Sequence, residues 1–285
     1  MVIYTTTLGT ISSTVSRAKQ LHPIASVAID PSKVKVVISI GGDKGAGKTS
    51  LALALPGRKL ILSYDNLKAI RNISLMGEDG NVVVVDAVEH FSERNDVFQK
   101  SAVDSYYYVE SVLDRAVETW GEVDWVIHDG ASVLTEMADQ LARVSYAEHV
   151  KDGKAFTAFA PVGKDNNMFF RIRNNHINNI HHKSFDVARR GVVYCTYAYY
   201  DKEIRDGEVH NTGKKHPAWV SRIKEHTDIA VVIDEVVSEI AIDRFAIIDY
   251  TKLPGHETNK SYKINTYDEA RKFWKMCPMI GGGDK

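Results

Sequence analysis

The chain has 285 residues, 44% of them hydrophobic, with 36 basic and 37 acidic side chains for a formal charge of -1. That length supports one sizeable core, and the even charge excludes a protein that holds nucleic acid by bulk electrostatics. Two distant cysteines, Cys195 and Cys277, exclude a disulfide framework and a zinc knuckle, and no run of 18 apolar residues offers a membrane span.

The first 13 residues are Thr-rich and lack the basic and apolar regions of a secretory signal, so a cytoplasmic protein is expected. Residues 1–33 show no helical period and read as an N-terminal extension, although Val2-Ile3-Tyr4-Thr5-Thr6-Thr7 would suit an edge strand. From Val34 the chain alternates short β-branched runs with helix-length segments, which predicts a parallel sheet with crossover helices. Strands are expected over 34–40, 59–63, 81–86, 125–129, 191–197, 229–233 and 244–250, and covering helices over 48–55, 96–120, 131–144 and 168–190. The last two strands flank a short acidic connection, so that edge should turn antiparallel. The resulting fold is a three-layer α/β sandwich with its core over 34–253. Residues 254–285 form a C-terminal extension in which Thr266 and Glu269 start a short helix, and the Gly281-Gly282-Gly283 tail reads as a frayed end. Residues 148–154 and 201–219 read as loops, the second because of Gly207, Gly213 and Pro217.

The octapeptide Gly42-Asp43-Lys44-Gly45-Ala46-Gly47-Lys48-Thr49 matches G-x-x-x-x-G-K-[ST] in full, between an expected strand and an expected helix. Together with Ser50 these residues are the candidate binding site for the phosphates of ATP, with GTP as the alternative. Gly45 and Gly47 let the backbone curl so that N–H groups face phosphate oxygens, Lys48 reaches the β and γ phosphates, and Thr49 ligates Mg²⁺ through its hydroxyl. Asp129 ends the apolar strand Trp125-Val126-Ile127-His128 and is the second candidate for holding Mg²⁺; a helix N-cap is its alternative role. His128 reads as structural. Asp65, just past the strand after the loop, is the candidate that orients the attacking water, provided that strand neighbours the P-loop strand. A helix cap is an equal reading of Asp65, and Asp86 and Glu89 compete for the catalytic role.

On these motifs, together with "WVIHDGASVLTEMADQ" and "GVVYCTYAYY", the stretch from 34 to about 252 resembles the RecA-like ATPases. It is most similar to phage and archaeal-virus nucleotide-binding proteins related to the RecA-core single-strand annealing proteins. The resemblance implies an ATP- and Mg²⁺-dependent hydrolase of viral origin acting in DNA recombination, annealing or replication. It also implies a polar sensor at Thr196 or Tyr197 and a homo-oligomeric ring or filament. A basic finger completes the neighbour's site in such an assembly, with Lys252 in the matching position and Arg244 as second choice; a solvated lysine is the other reading of Lys252. A nucleotide-operated switch without DNA binding and a P-loop kinase remain alternatives.

The most basic stretch, "FFRIRNNHINNIHHKSFDVARRG", could face phosphates, but its spaced Phe170, Ile172, Ile177, Ile180 and Val187 favour a covering helix with a solvated charged face. His176, His181 and His182 do not have the i, i+4 spacing of metal ligands. Tyr106-Tyr107-Tyr108 and Tyr197, Tyr199 and Tyr200 could stack on single-stranded DNA, though such tyrosines more often lie half-buried beside a strand.

Overall fold

Strand β1 (Val36–Gly42) sends alternate side chains to opposite faces, so that Ile38 and Ile40 join one apolar cluster and Val37 joins another. Trp125 and Ile127 separate in the same way from Val126, as do Val193 and Cys195 from Val192 and Tyr194. A sheet buried on both faces needs a helical layer on each. The computed structural model has those two layers; it describes residues 34–281 apart from 66–69, 71–72, 75–79, 150–160, 164–165, 206–207 and 219–222.

After β1 come α1 (Lys48–Leu53), β2 (Lys59–Ser63), β3 (Val82–Asp86), α2 (Phe98–Trp120), β4 (Val123–Asp129), α3 (Ser132–His149), α4 (Asn167–Val187) and β5 (Ala188–Thr196). The hairpin β6 (Ala198–Arg205) and β7 (Glu208–Pro217) follows, then α5 (Ile223–His226), β8 (Ile229–Val237), β9 (Ile242–Thr251), β10 (Ser261–Lys263), α6 (Tyr267–Lys275) and α7 (Pro278–Gly281). The main sheet has the order β10-β9-β8-β1-β5-β4-β2-β3. Strands from β8 to β3 run parallel, and β9 and β10 make the antiparallel edge. Helices α2, α3 and α4 pack on one face, and α1, α6 and α7 on the other. This is the three-layer α/β sandwich expected from the sequence. No helix among the described residues is long and apolar enough to cross a membrane.

Helix α4 takes up the basic stretch as a covering helix. Asn166 caps it by accepting a hydrogen bond from Phe169 N, and Phe169, Ile172, Ile177 and Ile180 are buried. Its charges meet acids on neighbouring elements: Arg173 lies 3.9 Å from Asp139, and Lys183 reaches Asp114 and Glu110.

Two expectations are corrected. Strand β2 does not neighbour β1, because β5 and β4 lie between them. At the start of that pairing, β5 approaches β1 so closely that a Cβ added at Gly191 would stand 1.8 Å from Val36 O. The second correction concerns 201–219, most of which is the β6–β7 hairpin rather than a loop. Its strands pair with each other in a separate two-stranded sheet and β7 is largely exposed, so no apolar alternation marks it. Helix α3 also extends through His149, into the expected 148–154 loop, whose remainder lies outside the described residues, as do residues 1–33 with the Val2–Thr7 expectation and the end of the glycine tail.

Gly191→Ala is expected to force β5 off β1 and to cost at least about 3 kcal/mol, the upper range for an overpacked site. Urea unfolding checks this; an unchanged midpoint would show that β5 can shift at no cost.

Candidate functional site

The loop between β1 and α1 turns back on itself through Gly45 (φ 89°) and Gly47 (φ 97°), a left-handed conformation that side chains disfavour. Lys48 folds over the loop and donates to Gly42 O at 2.9 Å and Asp43 O at 2.8 Å. Lys44, Gly45, Gly47, Lys48, Thr49 and Ser50 line one wall of a cavity of about 700 Å³. Gly42 and Asp43 instead supply carbonyls to Lys48, and Ala46 is buried beneath the loop.

The opposite wall comes from the carboxyl ends of β4, β2 and β5, where ligands of parallel α/β sheets collect. Asp129, only 4% exposed, ends β4 and accepts a 2.8 Å hydrogen bond from Thr49 Oγ1. Strand β2 runs beside β4 with Ser63 opposite Asp129, so Asp65 emerges two residues further on, in the same cavity. Ser63 Oγ donates to Asp65 Oδ1 at 3.0 Å. Asp65 thus reaches the cavity through the neighbour of β4, not through a neighbour of β1. Asp86 sits on the far edge strand and accepts from Val88 N, and neither it nor Glu89 lines the cavity.

Both sensor candidates are in the cavity wall. Thr196 is 3% exposed, and its Oγ1 has no hydrogen-bond partner among the described residues. Tyr197, 54% exposed, stands with its ring centroid 5.3 Å from Lys48 Nζ, within cation–π range. Cys195 also lines the cavity, but burial, and then the charge of Asp129, pushes its thiol well above its ordinary value and keeps it protonated.

Lys252 is not brought to this cavity. Strand β9 runs antiparallel to β8, with Arg244 opposite Glu235 at the cavity end and Thr251 opposite Ile229 at the other. Lys252 follows at that far end, where its N donates to Asp228 O and its Nζ points at Glu225 O. Arg244, the second choice, lines the cavity of its own chain, its Nε donating to Glu235 Oε1 at 3.0 Å.

The base of the β6–β7 hairpin, read from the sequence as part of a loop, belongs to the site's surroundings. Lys215 bridges Asp234 at 2.6 Å and Asp43 of the loop at 3.4 Å. His216 lies between Asp249 and Asp201, 2.7 Å from each. Pro217 packs so closely on Gly41 that an added Cβ would stand 2.6 Å from its Cα. No motif marks these residues; only the pairing of the hairpin places them.

Fold and loop together define a three-layer α/β protein with a P-loop at the carboxyl end of its central strand. No family model and no curated protein matches the chain. Among solved structures it is similar to a KaiC-like protein from the hyperthermophilic archaeon Pyrococcus horikoshii OT3, at 12% identity and a TM-score of 0.37, over 80% of this chain and 84% of that one.

Behind Asp129, His128 is fully buried in a polar network. Ser184 Oγ donates to Ile180 O, so it accepts from His128 Nε2, and His128 Nδ1 then accepts from Tyr64 O–H at 3.0 Å. The ring stacks on Tyr194, whose hydroxyl meets His181 Nδ1 at 2.8 Å. His128 is therefore structural, a neutral imidazole that fixes the strand carrying Asp129. Burial, then the neighbouring His181, lowers its pKa from 6.5 to about 3; burial, then His226 and His182, lowers His181 to about 4. Because both folded values lie below 6.5, the unfolded chain binds more protons below that pH. Stability is fully present above about pH 6.5 and is lost as pH falls, by up to ~1.4 kcal/mol per unit for each histidine. Urea midpoints are expected to drop between pH 6.5 and 5, above the main carboxylate titration, and less steeply in His128→Asn. A flat wild-type profile would contradict the buried neutral network.

Proposed function

We propose that the chain is a RecA-like P-loop NTPase that binds ATP with Mg²⁺ and hydrolyses it. The observation that carries this reading is the meeting, in one cavity, of the glycine-rich loop, the Thr49–Asp129 pair and Asp65. The donor set suits the ligand. The Thr49 hydroxyl and the Asp129 carboxylate are hard oxygen donors of the kind Mg²⁺ takes, and the unpartnered Thr196 Oγ1 is a buried polar atom left for a ligand to satisfy.

Thr49 and Asp129 would hold Mg²⁺, which when bound would supply positive charge to offset that of the phosphoryl oxygens. In this reading Lys48 exchanges the carbonyls of Gly42 and Asp43 for phosphate oxygens and counters the charge that builds on the transferred group. Asp65 accepts a hydrogen bond from the attacking water and aims its lone pair at the γ-phosphorus, opposite the breaking bond to the β–γ bridging oxygen. Ser63 Oγ holds Asp65 in that orientation.

The biological setting in this reading is DNA recombination, annealing or replication by a homo-oligomer. Tyr199 and Tyr200, both 41% exposed at the hairpin base, offer stacking faces to single-stranded DNA. The exposed apolar turn between β8 and β9, with Ile240 96% exposed, supports assembly. A second reading, a nucleotide-operated switch without DNA, is favoured by the pairing of the α4 charges with acids, which leaves no broad basic face there. ATP turnover measured with and without single-stranded DNA separates the two. Stimulation supports the DNA reading, and an unchanged rate with no salt-sensitive retention supports the switch.

Lys48→Ala is expected to weaken Mg-ATP binding on the order of 100-fold, about 2.8 kcal/mol, in calorimetry. Wild-type affinity in a folded variant would remove the loop from the reading. Asp65→Asn is expected to bind ATP nearly normally while turnover falls on the order of 100-fold, whereas a helix-cap role would lower the melting temperature and leave turnover per folded molecule intact. Asp129→Asn should slow Mg²⁺-dependent turnover more than it weakens binding, because backbone N–H groups and Lys48 keep much of the phosphate grip.

A further inference from the structure

Arg244 lines the larger cavity, and the proposed function gives it no task. It reaches the cavity from β9, where it stands opposite Glu235 of β8. Its backbone is tied at both ends, the N donating to Asn265 Oδ1 at 2.6 Å and the O accepting from Ile264 N at 2.9 Å. Nε donates to Glu235 Oε1 at 3.0 Å, and Cδ lies 3.5 Å from where a Gly47 Cβ would stand. Neither Nη1 nor Nη2 has a hydrogen-bond or ion-pair partner among the described residues. An arginine fixed at its root and at Nε thus offers a fork of N–H donors, with no acceptor, beside the glycine-rich loop. Such a fork suits a phosphate, which it meets with two parallel hydrogen bonds.

Strand order assigns the phosphate. In the run β9-β8-β1-β5-β4-β2 the loop leaves β1 in the middle, and Arg244 approaches it from one side while Asp129 and Asp65 approach from the other. Thr49, Asp129 and Asp65 line only the larger cavity, whereas Gly47, Ser50 and Arg244 also line a smaller one of about 100 Å³ beside it. With the γ-phosphate between Asp65 and the Thr49–Asp129 pair, Arg244 stands at the other end of the phosphate row. We propose that Arg244 grips the α-phosphate of the nucleotide bound by its own chain, as a substrate-binding residue and not as a finger for a neighbour's γ-phosphate. The inference rests on the reading of the larger cavity as a triphosphate site.

The test is calorimetry on the full chain with Mg-ATP and with both diastereomers of Mg-ATPαS, in which sulfur, a weak hydrogen-bond acceptor, replaces one non-bridging oxygen of the α-phosphate. Arg244→Gln keeps a donor for Glu235 and is expected to weaken ATP binding on the order of 10-fold, the loss of a charge-assisted hydrogen bond. In wild type one diastereomer should bind at least about threefold more weakly than ATP, and in Arg244→Gln that difference should disappear. In turnover assays KM should rise while kcat holds within about twofold, because a contact at the α-phosphate is made equally in the ground and transition states. Mixing Arg244→Gln with Lys48→Ala chains at subsaturating ATP should restore no activity. Unchanged ATP affinity in Arg244→Gln overturns the inference. So does an α-thio penalty that is absent from wild type, or equal in wild type and variant, since the guanidinium then meets another part of the ligand. A kcat lower by ~100-fold, or activity restored by mixing, returns Arg244 to a γ-phosphate role and also overturns it. Should a melt show that Arg244→Gln does not fold, Arg244→Lys, which keeps the charge opposite Glu235 and loses the fork, is judged by the same thio criterion. Failure of wild type to bind Mg-ATP, or binding that survives Lys48→Ala, overturns the underlying function instead.

Discussion

The hydrogen bond from Thr49 to Asp129 spans a whole strand. Asp129 ends β4 and the loop leaves β1, and β5 lies between them. Adjacent strands stand roughly 4.8 Å apart, so the two strand ends are separated by about 10 Å. That gap is too wide for a direct contact between strand ends and wide enough to admit a row of phosphates. Only a side chain from the first turn of α1 leans across it, and Thr49 does so. The inserted strand therefore sets the width of the cavity, and its own end closes the floor with Cys195 and Thr196. The arrangement depends on the contact at Gly191, since a side chain there would separate β5 from β1.

A second dependence runs through the C-terminal segment. Helix α1 has six residues, far too few to be stable alone in water. It is held from outside: Trp274 Nε1 donates to Leu51 O at 2.7 Å and Tyr267 O–H to Leu53 O at 2.9 Å. Phe273, Trp274, Cys277 and Ile280 share an apolar cluster with Leu51, Leu53 and Leu55. The residues read from the sequence as an extension thus hold the carbonyl end of the helix that follows the glycine-rich loop. The capping box of Thr266 and Glu269 fixes where α6 begins, and with it where Tyr267 and Trp274 point.

What the sequence made legible was local. The glycine-rich loop motif, the strand ending in Asp129, the antiparallel edge and the Thr266 cap each rest on a few consecutive residues. What it hid was pairing over long distances. Asp65 was singled out on the premise that β2 lies beside β1, yet it reaches the cavity because β2 lies beside β4. Strand order is not written in any local pattern. Lys252 was placed by a family position as a finger for a neighbour's site; within its own chain the direction of β9 carries it to the amino end of the parallel strands, while Arg244 lines this chain's cavity. The β6–β7 hairpin escaped notice because strands paired only with each other need no buried face, and period-two hydrophobicity is a record of burial.

The hairpin base and the glycine-rich loop are in contact, and this ties two parts of the molecule together energetically. Tyr197 lies over Lys48, Lys215 pairs with Asp43, and Pro217 packs on Gly41. Each contact joins the loop, or the end of β1 that leads into it, to a residue immediately before β6 or within β7. In the proposed function Lys48 leaves the carbonyls of Gly42 and Asp43 for phosphate oxygens, so the environment of Tyr197 differs between the two states of the loop. Any ligand that favours one arrangement of the hairpin base must then favour one state of the loop by the same free energy, because coupling between two binding equilibria is reciprocal. The size of that coupling is bounded by the contacts that change. The Lys48–Tyr197 contact is a partly exposed cation–π pair of about 0.5–1 kcal/mol, and the half-exposed Lys215–Asp43 pair adds at most about 1 kcal/mol. In the proposed function, a site wired in this way would modulate nucleotide affinity by at most about thirtyfold and would not switch it off.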